Sequence, residues 1–372
     1  MQVTTLKSLK GDLNMENKKL RVGIVGCGGM GRGVHSPAFS KMEDVEIAAY
    51  CDIIRERAEE LAEKYGVAPE CVYTDYKEML KQTDLDAIDI ITPNKFHSEI
   101  AVAAMEAGFH VFCEKPDAVS IAEAAKMKDA SERTGKILMV MRNNRYRETA
   151  KYLKQFIGEG RMGEVYAARC GWQRRRGAPG VGGWFTTKAL SGGGPLIDLC
   201  VHMIDLTMWL MGNPRPVAVS GCTYCKFAES SVSDSTEAKF GDKKAGGTFD
   251  VEDLAMGFIR FDNGACLQVE VSWNSNVGQE RQFVELRGDK AGSIWNTDDG
   301  KLRIFTEEFG NTVDITPNAK DMDGGHAQNL RHFVDCVLYG AEPMFVPQQG
   351  YNMVGILEAM YRSAKEGHEI QL

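Results

Sequence analysis

The stretch RVGIVGCGGMGRG, residues 21–33, constrains this 372-residue chain more than any other. A β-rich run ends at Gly26, and the spacing Gly26-x-Gly28-x-x-Gly31 then opens a helical segment. Gly26 permits the tight turn, Gly28 lets backbone approach a pyrophosphate, and Gly31 lets helix and strand pack closely. A glycine-rich turn by itself says little. Here a strand precedes it, a helix follows, and Asp52 ends the next β-rich run at the distance such a motif requires. The pattern predicts a dinucleotide seated on Gly26, Gly28, Gly29, Met30 and Gly31, with Asp52 on its ribose and Ile53 alongside.

Asp52 also bears on which dinucleotide binds. A carboxylate there accepts hydrogen bonds from a ribose diol and repels a 2′-phosphate, so NAD is expected ahead of NADP. Arg55 is near enough to soften that repulsion, although pairing with Glu59 on a solvated helix face accounts for it equally.

The runs RVGIVG, VEIAAYC, DAIDIIT, HVFCEKP and ILMVM read as buried strands, separated by amphipathic helices that stop at Gly66 and Gly108. Such alternation implies parallel βαβ units in a doubly wound α/β sheet. After residue 146 the pattern changes to a helix, a strand over 164–173, a glycine-rich loop and a helix starting at GGGPLIDLCVH. Residues 216–316 read as antiparallel strands, with LAMGFIRFDNGACLQVEVSW forming two of them around Asn263-Gly264. Helices near 325–339 and 350–366 close the chain, and 229–248 reads as an exposed polar loop. The expected organisation is a leader at 1–18, with Met15 an alternative start, a nucleotide-binding domain at 19–145 and an α+β substrate and oligomerisation domain at 146–372.

A formal net charge of −8 argues against non-specific nucleic-acid binding. No apolar run approaches the roughly 20 residues of a membrane span. Ten cysteines without framework spacing suit a reducing cytoplasm, and Cys222 and Cys225, on a strand, would face opposite sides rather than share a zinc ion.

A second set of residues gathers at the same crevice. FCEKPDAVS places Glu114 and Lys115 at the carboxyl end of a parallel strand, and ITPNKFH offers Thr92, Asn94 and His97 at the end of its neighbour. Asp198 and His202, four residues apart, share a helical face, and Asp205 lies one turn further on. Three readings of that pair stand open: a satisfied core pair, a metal site with no third ligand nearby, and an acid–base pair.

In order along the chain, GIVGCGGMG, YCD, TPNKFH, CEKP and GGGPLIDLCVHMIDL resemble the glucose-fructose oxidoreductase / inositol dehydrogenase / rhizopine-catabolism (Gfo/Idh/MocA) family over about residues 19–372. The resemblance implies a Rossmann domain followed by an α+β domain with a large, open, mainly antiparallel sheet, whose exposed face builds dimers or tetramers. It implies that Lys115 hydrogen-bonds the reacting hydroxyl, that His202 is the acid/base and that Asp198 is its partner at the substrate. On this reading Gly192, Gly193 and Gly194 let the chain pass close beside nicotinamide and sugar. The substrates implied are secondary alcohols of sugars, glycosides or inositols.

Trp172, Arg174 to Arg176, Trp184 and Lys188 precede the Asp198 helix, and Trp184 would make a sugar platform or a loop anchor. Asn143 is expected beside nicotinamide, and Tyr146 and His326 at the substrate rim; His35, His110, His332 and His368 are left as structural or surface residues. The expected activity is NAD-dependent oxidation at pyranoside C3. An NAD-retaining hydrolase acting by transient C3 oxidation is an alternative, and a non-catalytic NAD-binding sensor is another.

Overall fold

The apolar runs near the N-terminus suit strands of a sheet with helices on both faces, which favours continuous hydrophobic sequence over alternation. In a computed structural model, described for residues 19–82, 84–230, 232–233, 241–296, 299–319, 321 and 324–372, they form one parallel sheet. The expected leader at 1–18 and residues 234–240 of the expected loop lie outside the described residues. The strands are β1 (Leu20–Val25), β2 (Val45–Cys51), β3 (Val72–Tyr73), β4 (Ala87–Ile90), β5 (His110–Cys113) and β6 (Leu138–Val140), in spatial order β3-β2-β1-β4-β5-β6. Strand order therefore reverses between β1 and β4, and the crevice beyond their carboxyl ends is where such sheets bind ligands. Flanking helices include α1 (Arg55–Tyr65), α2 (His97–Glu106) and α3 (Ile121–Thr134). Gly66 and Gly108 take positive φ at helix ends, as their positions suggest.

After α4 (Glu148–Gly158) the chain builds a second sheet from β7 (Val165–Gln173), β8 (Pro216–Tyr224), β9 (Leu254–Phe261), β10 (Cys266–Ser272), β11 (Arg281–Gly288), β12 (Ala291–Asn296), β13 (Leu302–Glu308), β14 (Asn311–Ile315) and β15 (Ile370–Gln371). Its order is β14-β13-β12-β11-β7-β10-β9-β8-β15, antiparallel except for the pair β10–β7. One face packs against α5 (Val201–Leu210) and α7 (Pro347–Glu366) through Ile204, Leu206, Ile356 and Met360. Gly221 and Gly257 are required there, because a Cβ at either would press on Met360.

Packing does not follow chain order. The helix α6 (His326–Tyr339) inserts Leu330, Phe333 and Val334 into the core of the first sheet, and Arg331 holds Asp44 at 2.6 Å and 2.9 Å. The Glu358 carboxylate of α7 accepts the Ile121 N–H at the start of α3. The C-terminal helices thus clamp the two sheets together, with the crevice between them. No helix of the described residues is long and apolar enough to cross a membrane.

Candidate active site

The three glycines after β1 have three different physical reasons. Gly26 sits at φ +109°, and a Cβ there would collide with the Ile91 carbonyl beyond β4. At Gly31 a Cβ would strike the Gly26 carbonyl, whereas one at Gly28 would meet nothing within 4 Å. Gly26 and Gly31 therefore close the turn, and Gly28 leaves an open cradle at the mouth of the crevice. Gly29 is exposed, Met30 half-buried, and no side chain caps the helical turn that follows. A phosphate approaching there meets uncapped backbone rather than side chains, which fits a pyrophosphate.

Asp52 stands at the rim of this loop. Its carboxylate accepts the Cys27 N–H at 2.7 Å and the Ile54 N–H at 2.8 Å. Ile53 beside it is 89% exposed, an apolar surface suited to a flat base. Arg55 pairs with Glu59 at 2.7 Å on the solvated face of α1, while Arg57 reaches Asp242 of the second domain.

The opposite wall is braced by residues expected at the cofactor. Buried His97 faces the Pro116 carbonyl through Nδ1 (2.7 Å) and the Thr92 carbonyl through Nε2 (2.9 Å), holding two strand ends together. Asn94 donates to the Ser191 carbonyl at 2.8 Å, linking the two domains, and the buried Thr92 hydroxyl has no partner among the described residues. Asn143 donates to the Gly324 carbonyl at 2.7 Å.

Lys115 and Asp198 join across the crevice. Lys115 Nζ donates to Asp198 Oδ1 at 2.6 Å and to the Asp198 carbonyl at 2.8 Å. The other carboxylate oxygen accepts Nε1–H of Trp273, a side chain with no exposed surface. Burial works against the Asp198 charge, but Lys115, with Arg174 and Trp273, holds its carboxyl below the usual range. The helix opens in one wide π-type turn, Leu196–Cys200, a feature common at functional sites. Asp198 thus turns toward Lys115, and among the described residues no hydrogen bond joins it to His202.

His202, half-buried, lines the crevice with Lys115, Met141, Arg142, Asn144, Val201 and Asp205. Burial, reinforced by the Lys115 ammonium, pushes its imidazole well below the ordinary histidine value, so it is neutral and able to accept a proton. The Trp172 ring lies 6.2 Å from it, and Arg174 stacks 4.7 Å over Trp172. His326, at the start of α6, is close enough for its charge to act on both Glu114 and His202.

Other expected residues have packing or ion-pair partners of their own. Tyr146 is 5% exposed, packed against His332 with ring centroids 5.7 Å apart, and does not line the crevice. Trp184 stacks on Phe185 at 3.7 Å, and Lys188 lies over the Tyr361 ring. Asp205 pairs with Arg145 at 2.7 Å and 2.8 Å and with Arg142 at 2.9 Å, in a buried network that also holds Asp117.

The glycines before the helix are also required by packing within the protein. A Cβ on Gly193 would overlap the Tyr361 hydroxyl, and one on Gly194 the Glu252 carbonyl; Gly192 takes φ +82°. They let the chain close over Glu252, whose buried carboxylate accepts the N–H groups of Gly194 and Leu196 and the Tyr361 hydroxyl. A carboxylate at the helix N-terminus anchors the turn carrying Asp198. Nothing in the sequence marks Glu252 or Trp273 for these tasks, since each acts from more than 50 residues away.

Comparison with known proteins agrees with this geometry. Residues 20–142 match the oxidoreductase family with an NAD-binding Rossmann fold, and residues 154–372 match its C-terminal alpha/beta domain. The chain is 33% identical to a D-glucoside 3-dehydrogenase of Escherichia coli over 96% of its length and 99% of the relative's. It is 25% identical to a myo-inositol 2-dehydrogenase of Thermotoga maritima, covering 95% and 98%. A levoglucosan dehydrogenase solved with NADH and L-sorbose superposes with a TM-score of 0.81 at 26% identity, covering 95% of this chain and 99% of that one. With an open glycine cradle, a crevice at the strand reversal and both domains matched, the chain belongs to the Gfo/Idh/MocA family of NAD-binding sugar and cyclitol oxidoreductases.

Proposed function

We propose that this protein is an NAD-dependent dehydrogenase that oxidises the C3 hydroxyl of a glucoside or related pyranoside to the 3-keto sugar. The observation that carries the reading is Lys115, bonded to Asp198, lining one crevice with neutral His202. When bound, the nicotinamide supplies the hydride acceptor. Lys115, steered by Asp198, donates to the reacting hydroxyl and stabilises negative charge as it grows on that oxygen. His202 takes the hydroxyl proton. The Trp172 face beside His202 suits the C–H face of a pyranose. Asp52 favours NAD over NADP by accepting from the ribose diol.

The C3 position follows the D-glucoside 3-dehydrogenase likeness, which spans nearly both chains. The open face of the second sheet, where Met256, Phe258 and Ile294 are only half-covered, pairs copies of the chain. With no framework of paired cysteines, the protein works in the cytoplasm.

The test is incubation with NAD and a panel of glucosides, free sugars and inositols, following reduced nicotinamide and product mass. NADH with a product two mass units lighter supports the reading and names the substrate. Cleaved glycoside without net NADH selects the NAD-retaining hydrolase instead, and NAD binding without turnover across the panel selects a sensor.

A further inference from the structure

His35 was expected to be structural or superficial, yet it lies at the junction of the two parts of the site. It ends the helical turn Gly31–His35 that begins at the last glycine of the cradle. Neither it nor Asp89 has any exposed surface. Nδ1 lies 2.9 Å from Asp89 Oδ2 on β4, and Nε2 lies 3.0 Å from Glu114 Oε1 just past β5. The other Glu114 oxygen accepts the Lys115 backbone N–H at 3.0 Å. The Phe112 ring of β5 packs edge-on to the imidazole at 6.0 Å.

This geometry favours one protonation state. An imidazole with one N–H would turn a bare nitrogen lone pair toward one of the two carboxylates. With both carboxylates ionised, both nitrogens donate and a buried imidazolium stands between Asp89 and Glu114; burial pushes the Asp89 carboxyl up, and His35 draws it back down. Burial works against the imidazolium charge, but Asp89 and Glu114 raise the His35 pKa to about 10. Burial likewise works against ionised Glu114, but His35, with help from Lys115, brings its carboxyl down to about 2.

We propose that His35 is a positioning residue for hydride transfer: its doubly bonded imidazolium fixes Glu114, and through it the Lys115 backbone, in register with the glycine cradle. The proposal rests on the dehydrogenase reading above for its kinetic consequence. Lys115 Nζ must meet Asp198 and a hydroxyl at once, so its backbone has little freedom to move. The turn that receives the pyrophosphate and the strand end that carries the lysine are thereby one rigid unit.

Glutamine at position 35 cannot reproduce this, because its two N–H groups leave from one nitrogen and cannot span both carboxylates. His35→Gln should lower kcat about 100-fold while KM for NAD stays within about threefold, because misplacing a reacting group by about 1 Å costs that much. Glu114→Gln keeps the shape and removes one anion, so it serves if His35→Gln does not fold. It should show the same split between kcat and KM.

A direct readout needs no substrate. In protein labelled with 15N-histidine, one imidazole should stay doubly protonated from pH 6 to pH 9 and vanish in His35→Gln. Seven imidazoles that all lose a proton by pH 8, or variants with unchanged kcat, would overturn the proposal. Failure of the wild type to reduce NAD with any sugar would instead overturn the dehydrogenase reading, and the nuclear resonance experiment would still decide the state of His35.

Discussion

Lys115 meets Asp198 twice, through the carboxylate at 2.6 Å and through the main-chain carbonyl at 2.8 Å. One residue lies just past β5 of the parallel sheet and the other in the wide turn that leads into α5 of the second domain. The Lys115 ammonium is thus held in place by the domain that forms the other wall of the crevice. Both partners are mostly buried, so the pair is little weakened by solvent.

Replacing Lys115 by Met should lower kcat/KM for alcohol oxidation by roughly 10²–10⁴-fold, the range for losing a positioned group that stabilises or transfers charge. NAD affinity, measured by calorimetry, should be nearly unchanged. Arginine should not rescue, because its planar fork does not match an ammonium bonding one carboxylate oxygen and one carbonyl. Unchanged turnover would remove Lys115 from the chemistry.

Trp273→Phe deletes one hydrogen bond to Asp198 and leaves a buried carboxylate oxygen unpaired, at a cost of about 1–3 kcal/mol. Denaturant unfolding should show that loss. Turnover should fall by about tenfold as Asp198 gains freedom to leave Lys115.

The His202 imidazole is pushed below 6.5, so it takes a proton only at more acid pH. Its base form therefore persists through neutrality, and kcat/KM for oxidation should stay flat down to pH 6.5 and fall below it. His202→Gln should abolish that limb along with most activity. A wild-type midpoint at or above 6.5 would contradict a buried neutral base beside Lys115.

Two glycine substitutions separate packing from ligand approach. Gly193→Ala forces a methyl group onto the Tyr361 hydroxyl and should destabilise by about 1–3 kcal/mol, with partial recovery in the double variant Tyr361→Phe. Gly28→Ala meets no neighbour within 4 Å and should leave the melting temperature unchanged while weakening NAD binding. A normal NAD affinity in Gly28→Ala would move the pyrophosphate off this cradle.

His35 and Glu114 set opposite pH limits on stability. His35 is raised to about 10, so its contribution is complete below 6.5 and disappears as pH rises through 10. Glu114 is lowered to about 2, so its contribution is present above 4.5 and disappears as pH falls toward 2. The stability gap between wild type and His35→Gln should be widest between these limits and narrow at both ends.

Local pattern made much of this legible. The βαβ alternation, the turn Gly26 to Gly31, Asp52 and the position of Lys115 at a strand end follow from local pattern, whereas bringing His202 to Lys115 came from the family resemblance. Tertiary packing decided the rest. Asp198 was paired with His202 by spacing along a regular helix, but the wide turn at Leu196–Cys200 sends it to Lys115 and Trp273. Asp205, one turn on, lines the crevice but spends its carboxylate on Arg145 and Arg142. Gly193 and Gly194 answer to Tyr361 and Glu252, which no periodicity connects to them. Histidine 35 looked ordinary because Asp89 and Glu114 come to it from two other strands.

The measurement that tests the central claim most directly uses a glucoside deuterated at C3. The protein, NAD and the labelled glucoside are combined, and the reduced nicotinamide is analysed for deuterium by mass spectrometry. Hydride transfer from C3 predicts one deuterium in each reduced nicotinamide and a 3-keto product that has lost it. Reduced nicotinamide without deuterium, or label retained on the oxidised sugar, would show that the crevice of Lys115, Asp198 and His202 oxidises another carbon.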